Sequence, residues 1–315
     1  MQGDVQAAHG NGTVQLQVDG RSVRVARGAT LLEAARAAGA QVPTLCYHET
    51  LRPIGACRVC VVELEGSRAL VPACQRLAEP GMAVHTRTER VLASRRMVVE
   101  LLESSAETDR SPEVTRLAAA LGSRPERWRG LADWEPASRR GPRLDNELYV
   151  RDLDRCILCY RCVAVCGEQV QNSFAISVAG RGYAARVDPG FDVPLPESAC
   201  VFCGNCVAVC PTEALVVRTQ FELRRLGLWD PGRQRVVRTV CPFCGVGCNL
   251  ELHLQDGRIV GVRAPADDPI TRGYLCVKGR FGWMYVRPGE ATAYPATDPG
   301  ASEDRAGTGG PGSCG

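Results

Sequence analysis

Sixteen of the 17 cysteines in this 315-residue chain fall into four groups of four, and that grouping restricts its folding more than any other feature. Two groups are compact. Cys156-Ile-Leu-Cys159-Tyr-Arg-Cys162-Val-Ala-Val-Cys166 and Cys200-Val-Phe-Cys203-Gly-Asn-Cys206-Val-Ala-Val-Cys210-Pro211 both read C-x2-C-x2-C-x3-C. Three thiolates spaced three residues apart wrap one face of a [4Fe–4S] cube from a tight turn, and the fourth, on the short helix that follows, points at the other cube. The expected ligand sets therefore cross over. Cys156, Cys159, Cys162 and Cys210 form one, and Cys200, Cys203, Cys206 and Cys166 the other. Two simpler readings fit less well. Structural zinc usually takes paired C-x2-C knuckles, and a disulfide framework suits a short secreted chain.

Composition sets the outer bounds. The length suggests two or three domains, and 45% hydrophobic residues permit folded cores although only 5% are aromatic. A formal charge of +3, with no basic block interleaved with aromatics, gives no case for nucleic acid. No run of 18 apolar residues predicts a membrane span. The start Met1-Gln2-Gly3-Asp4 has neither a basic nor an apolar leader segment, so a cytoplasmic location is expected. In a reducing compartment the cysteine groups read as metal–sulfur ligation.

Residues 1–11 read as a frayed polar lead. Val14, Leu16 and Val18 alternate with polar residues, Asp19-Gly20 turns, and Val23 and Val25 alternate again, which predicts a β-hairpin. Thr30-Leu31-Leu32-Glu33 forms a capping box, and Leu31, Ala34, Ala35 and Ala38 give a helix face that ends at Gly39. A cysteine-bearing loop and a strand over 59–64 follow, and the whole suggests a β-grasp domain. Its cysteines are Cys46, Cys57, Cys60 and Cys74, spaced C-x10-C-x2-C-x13-C. Relative to the plant-type C-x4-C-x2-C, the first gap is enlarged and the C-x2-C kept. Gly55 and Ala56 are small enough for backbone N–H groups to approach the sulfurs, which raises a cluster's potential. His48 has no second histidine with which to replace two cysteines, so it reads as loop structure. Cys46-Tyr47-His48-Glu49 and Gly55-Ala56-Cys57-Arg58-Val59-Cys60-Val61-Val62-Glu63 resemble the [2Fe–2S] domain shared by the large iron–sulfur subunits of NADH-quinone oxidoreductases, [FeFe] hydrogenases and NAD-dependent formate dehydrogenase alpha subunits.

Residues 89–121 read as helices, the second opened by Ser111-Pro112 and closed by Gly122. In the resembling families this region commonly binds a further [4Fe–4S] cluster through one histidine and three cysteines. Here no cysteine lies between Cys74 and Cys156, and His85 has no thiolate companions. The expectation is a bare spacer and a lengthened gap, which repositioning or a partner's cluster would have to close. The stretch 123–145, rich in Arg, Pro and Glu and holding Trp128 and Trp134, reads as a surface linker. Between the two cysteine runs, Phe174, Ile176 and Val178 suggest a short strand; the runs themselves resemble those of bacterial ferredoxins, and Gly167 stands where that resemblance implies proline.

Cys241-Pro-Phe-Cys244-Gly-Val-Gly-Cys248 and Cys276 then read C-x2-C-x3-C-x27-C, with a hairpin expected between them through Asp256-Gly257. This spacing resembles the amino-terminal [4Fe–4S] module of molybdenum or tungsten bis-molybdopterin guanine dinucleotide oxidoreductases. That resemblance implies that Lys278, two residues past the last cysteine, lies between cluster and pterin. An isolated lysine is otherwise most often a solvated charge. Residues 289–315, with seven glycines and three prolines, read as a flexible tail in which Cys314 is a free thiol.

The expected fold class is α+β, a multi-domain iron–sulfur protein. Its parts are a β-grasp [2Fe–2S] ferredoxin-like domain (12–88), a helical spacer and linker (89–145), a 2[4Fe–4S] ferredoxin-type domain (146–222), a small β-rich [4Fe–4S] module (235–288) and the tail. Of the families named, the formate dehydrogenase alpha subunit matches this order over roughly 12–287. It implies an electron relay with one [2Fe–2S] and three [4Fe–4S] clusters, no catalytic residue of its own, and contact with molybdopterin guanine dinucleotide on another domain or chain. The implied partners are a pterin-containing catalytic chain and a flavin subunit that reduces NAD. Two alternatives stand beside it: an electron-relay subunit of an NADH-quinone oxidoreductase or hydrogenase assembly, and a zinc-stabilised interaction protein without redox chemistry.

Overall fold

The computed structural model describes residues 12–128 and 141–285. The polar lead, the part of the 123–145 stretch holding Trp134, and the tail with Cys314 lie outside the described residues. Strands β1 (Thr13–Val18) and β2 (Arg21–Ala26) pair as the expected hairpin. Asp19 and Gly20 both take positive φ, 47° and 79°, in a two-residue turn whose twist suits the flanking strands. Helix α1 (Leu31–Ala37) begins at the expected box. The Glu33 N–H donates to Thr30 Oγ1 at 3.2 Å, and the Thr30 N–H donates to the Glu33 carboxylate at 2.6 Å.

Strands β3 (Val61–Leu64), β4 (Val71–Pro72) and β5 (Ala83–His85) complete a five-stranded sheet ordered β2-β1-β5-β3-β4, with β1 and β5 parallel. Val14, Leu16 and Val18 from β1 and Leu31, Leu32, Ala34 and Ala35 from α1 form one core with Cys60 and Cys74. Strand β3 starts two residues later than expected. Arg58 is left-handed (φ 61°), and Val59 and Cys60 are spent on the turn that holds the cysteine loop.

Helix α2 (Glu89–Ser105) is capped by Thr88, and α3 (Pro112–Leu121) by Ser111. Gly122, at φ 62°, ends α3 in the left-handed cap that glycine favours. These helices do more than separate their neighbours. Val98, Leu102, Ala106, Val114 and Leu117 pack in one buried cluster with Leu45, Cys46, Val59, Ile157 and Cys159. Residues 123–128 are likewise not a bare linker. The Arg124 N–H and Trp128 Nε1 both donate to the buried Glu100 carboxylate, at 3.1 and 3.0 Å, and fold this stretch back onto α2.

The next unit runs through β6 (Tyr149–Arg151), α4 (Arg161–Cys166), β7 (Ser177–Ala179), β8 (Arg186–Asp188), α5 (Asn205–Ala208), β9 (Leu215–Val217) and α6 (Arg218–Arg225). Strand β6 pairs with β9, so the two cysteine runs lie between the strands of one ribbon. The insert's strand begins at Ser177 and pairs with β8. Phe174 does not belong to it. Asn172 and Phe174 are left-handed (φ 54° and 52°), and the Ser173 and Phe174 N–H groups donate to the Cys166 carbonyl at the end of α4. Beneath the insert Arg151, 2% exposed, bonds Asp188 at 3.2 Å and also Asp145.

The last sheet is antiparallel, in the order β10 (Gln234–Val240), β11 (Asn249–Gln255), β12 (Arg258–Arg263). The expected hairpin is β11–β12, turning at Asp256-Gly257. Strand β10 was not expected, because Val236-Val237 and the flanking arginines break the alternation of a half-buried strand. Helix α7 (Val277–Phe281) follows Cys276 directly.

Candidate metal centres

Each of the four cysteine groups comes together in space. In the first, Cys60 Sγ and Cys74 Sγ are 3.4 Å apart, and the Cys57 N–H points at Cys46 Sγ from 3.5 Å. Sulfhydryl bonds from Cys57 and then Cys74, helped by the Cys57 and Ala56 N–H groups, hold the Cys46 thiol far below its usual range. Cys74 and then burial act oppositely on Cys60, for a net value of about 7. Cys57 and Cys74 are pushed up, first by their bonds to Cys46. Gly55 is positive (φ 72°), and a Cβ there would lie 2.2 Å from the Gln75 amide oxygen. His48 bonds Thr50 through Nδ1 at 2.9 Å, and Thr50 bonds Tyr274 across to the last unit, so the histidine does hold a loop.

The structure brings the cysteines of the two compact runs together crosswise. Cys156, Cys159, Cys162 and Cys210 line one cavity, with about 360 Å³ of atom-free space. Cys166, Cys200, Cys203 and Cys206 line the other, with about 430 Å³. Burial raises the thiols of Cys156 and Cys159, to about 12 and about 11, and raises Cys162, Cys203 and Cys206 as well. Cys162 also lies within the field of Cys206, so the two sets approach each other there. Tyr149, 1% exposed, places its hydroxyl 3.2 Å from Cys200 Sγ and stacks at 6.2 Å on Phe281. Burial, then the nearby cysteines, keeps that hydroxyl protonated.

In the fourth group the Cys241 N–H donates to the Cys248 carbonyl at 2.8 Å and closes the loop. Burial and then Cys241, Cys276 and Cys244 raise the Cys248 thiol. Cys244 and Cys276 are exposed. So is Lys278, which is the single lysine of the whole chain, every other basic side chain being arginine or histidine.

These sets fit polynuclear iron–sulfur cores better than single ions. Among the described residues no three His, Cys, Asp or Glu side chains close around a point that one ion would occupy. Instead the two crossed all-sulfur sets line hollows, as a core with its own bridging sulfides requires. Cys46 and Cys159 share one buried cluster, which places the first sulfur set beside the first compact run.

Two arginines escaped the sequence reading. Arg280 and Arg95 are each 3% exposed, and burial lowers both guanidinium groups to about 10, still charged at neutral pH. Only the reach of α7 into the Cys203–Cys206 turn, a contact between distant segments, reveals the first.

Three family descriptions match: a 2Fe-2S iron-sulfur cluster binding domain at 11–89, a 4Fe-4S dicluster domain at 155–214, and the molybdopterin oxidoreductase Fe4S4 domain at 234–288. The chain is built from three iron–sulfur cluster domains. This iron–sulfur protein is 34% identical over 293 residues to the NADPH-Fe(3+) oxidoreductase subunit alpha of Geobacter sulfurreducens, covering 90% of the chain and 32% of that relative. A provisionally named formate dehydrogenase of Staphylococcus haemolyticus is 28% identical, with 88% of the chain and 32% of the relative covered. Other relatives are named as NADH-quinone oxidoreductase and NADP-reducing hydrogenase subunits. Among solved structures, a chain of the NAD+-reducing [NiFe]-hydrogenase in its H2-reduced state superposes with a TM-score of 0.55 at 28% identity, over 65% of this chain and 87% of that one. The iron–sulfur protein thus spans about a third of the length of these curated relatives. Among the described residues no helix is long and apolar enough to cross a membrane.

Proposed function

We propose that the sixteen cysteines hold one [2Fe–2S] and three [4Fe–4S] centres, and that the chain relays electrons within a formate dehydrogenase-like oxidoreductase of the cytoplasm. In this reading electrons pass between a molybdenum or tungsten pterin site, which Lys278 faces, and a flavin subunit that serves NAD. The observation that carries the reading is the unbroken succession of sulfur sets. Cys46 shares a buried cluster with Cys159, Cys162 lies in the field of Cys206, and Arg280 joins the Cys203 turn to Cys276. Bound cores would supply one-electron redox chemistry. The chain's own part is to hold them close, keep water from the first three sets, and aim N–H and O–H groups at sulfur.

Anaerobic purification tests the count. The expected product is brown and carries about 14 iron atoms with matching sulfide. A colourless protein with about four zinc ions defeats the proposal and supports the interaction-protein alternative. Formate-dependent reduction of the centres by a co-purified pterin chain supports the formate reading. Reduction only by an NADH- or H2-oxidising partner moves the assignment to the quinone-reductase or hydrogenase assembly.

A further inference from the structure

We propose that Arg280 is an internal counter-cation shared by two sulfur sets, Cys166/Cys200/Cys203/Cys206 and Cys241/Cys244/Cys248/Cys276, and that Arg95 serves the Cys46/Cys57/Cys60/Cys74 set alone. Each arginine holds its own centres at a higher reduction potential. The proposal rests on the reading that these sets carry iron–sulfur cores.

A buried charge without a counter-charge is among the costliest features a fold can contain. Other buried arginines here obey that rule. Arg151 pairs with Asp145 and Asp188, and Arg155 with Asp152, Glu107 and Asp109. Arg95 and Arg280 do not share this pattern. Arg95 Nη2 donates to the Val61 carbonyl at 2.8 Å, and its Nε has no partner. Arg280 donates from Nε to the Cys203 carbonyl and from Nη2 to Asn205 Oδ1, both at 3.0 Å. All three acceptors are uncharged.

The missing negative charge lies in the sulfur sets. Cys60 is the strongest anionic influence on Arg95, ahead of Asp19, and Arg87 repels it. Cys203, Cys206 and Cys276 act on Arg280, with Arg263 opposing. A core held by four thiolates is anionic when oxidised and gains one more negative charge when reduced, so a fixed cation favours the reduced form.

The fold builds the place for this cation. Gly204 is left-handed (φ 69°), and a Cβ there would stand 2.4 Å from Arg280 Cδ and 2.8 Å from the Phe281 ring. Asn205 Oδ1 also accepts the Leu275 N–H at 3.1 Å, and the Arg280 N–H donates to the Cys276 carbonyl at 3.1 Å. The guanidinium is thereby fixed to the Cys203 loop of one set, on a residue whose own backbone is tied to Cys276 of the other.

The test is an EPR-monitored redox titration of the full chain, prepared anaerobically as parent, R280Q, R280K and R95Q, with iron and sulfide measured on each. Glutamine keeps a hydrogen-bond donor and loses the charge, whereas lysine keeps the charge and loses the planar fork. R280Q is expected to disfavour reduction of two of the three cubes at least tenfold, 59 mV for a one-electron couple, and to leave the [2Fe–2S] centre in place. R95Q should lower the [2Fe–2S] potential alone, and R280K should keep parental potentials. Unchanged potentials in an iron-replete R280Q overturn the proposal, as does R280K falling as far as R280Q. If R280Q does not retain its iron, R280K decides alone: parental potentials support the proposal, and a fall of 59 mV or more in two cubes overturns it. A parent without iron–sulfur centres defeats the underlying reading instead.

Discussion

Cys46 and Cys159 lie in the same buried cluster, walled by Leu45, Val59, Ile157, Ala106 and Val114, and the Cys46 charge reaches the Cys159 thiol. The sulfur set of the first sheet therefore adjoins the first compact run directly. Where relatives of this kind are expected to place a further cluster, α2 and α3 supply an apolar filling.

This adjacency predicts magnetic contact. With the Cys159 centre reduced, the [2Fe–2S] EPR signal should need more microwave power to saturate than with it oxidised. Identical saturation in both states would mean that the two centres are not neighbours.

Tyr149 offers a hydrogen bond to the sulfur of one set only, at Cys200. Tyr149→Phe removes one donor to a buried sulfur and leaves the ring stack in place. A negative shift below about 59 mV, less than a tenfold effect, is expected in one cube alone. Potentiometry that finds no shift, or equal shifts in all cubes, contradicts the assignment.

The Arg151 ion pairs provide a stability test. Asp188, 1% exposed, bonds Arg151 at 3.2 Å and Arg186 at 2.9 Å. Asp188→Asn leaves buried guanidinium charge under-compensated, and a loss of about 3–5 kcal/mol is expected for breaking a pair of this kind. Urea unfolding of the anaerobic protein measures it, and a loss under about 1 kcal/mol would place the pair among weak surface bridges.

Asp145 gives the pH dependence its sign. Burial opposes its charge, but the Leu195 N–H and Arg151 outweigh burial and depress the carboxyl pKa. Its stabilisation is complete above the ordinary carboxylate value, about 3.9, and is lost as pH falls through the lower folded value. The contribution of this group should be flat above about pH 5 and fall below about pH 4, with a slope under about 1.4 kcal/mol per pH unit. Asp145→Asn should make that acid limb shallower, and an unchanged limb would exclude Asp145 as a contributor.

Lys278 is the only lysine and is exposed, so an amine-selective acylating reagent should modify one side chain besides the terminal amine. Mass mapping should find the label on the peptide holding Cys276. A pterin-bearing partner should slow that labelling several-fold, and an equal rate in the assembled complex would place Lys278 away from the interface.

Much of the chain was legible because its signals are local. The Thr30/Glu33 box, the Asp19-Gly20 and Asp256-Gly257 turns, the Gly122 cap and the crossed cysteine sets each depend on spacing within a few tens of residues. What stayed hidden depends on contacts between distant segments. Nothing near Trp128 announces Glu100, and nothing near Arg280 announces the Gly204 notch. Strand β10 was missed for a different reason. It lies at a sheet edge and is largely exposed, so it carries no buried alternation to read.

Three of the sulfur sets are held within packed surroundings, whereas Cys244 and Cys276 of the fourth face solvent. Dioxygen and chelators would therefore attack the molecule from one end. In the proposed four-centre form, a preparation that ages in air would pass through a species short of a single core, still folded around the other three, so deterioration would be stepwise and would itself mark the terminal most open to exchange with the outside.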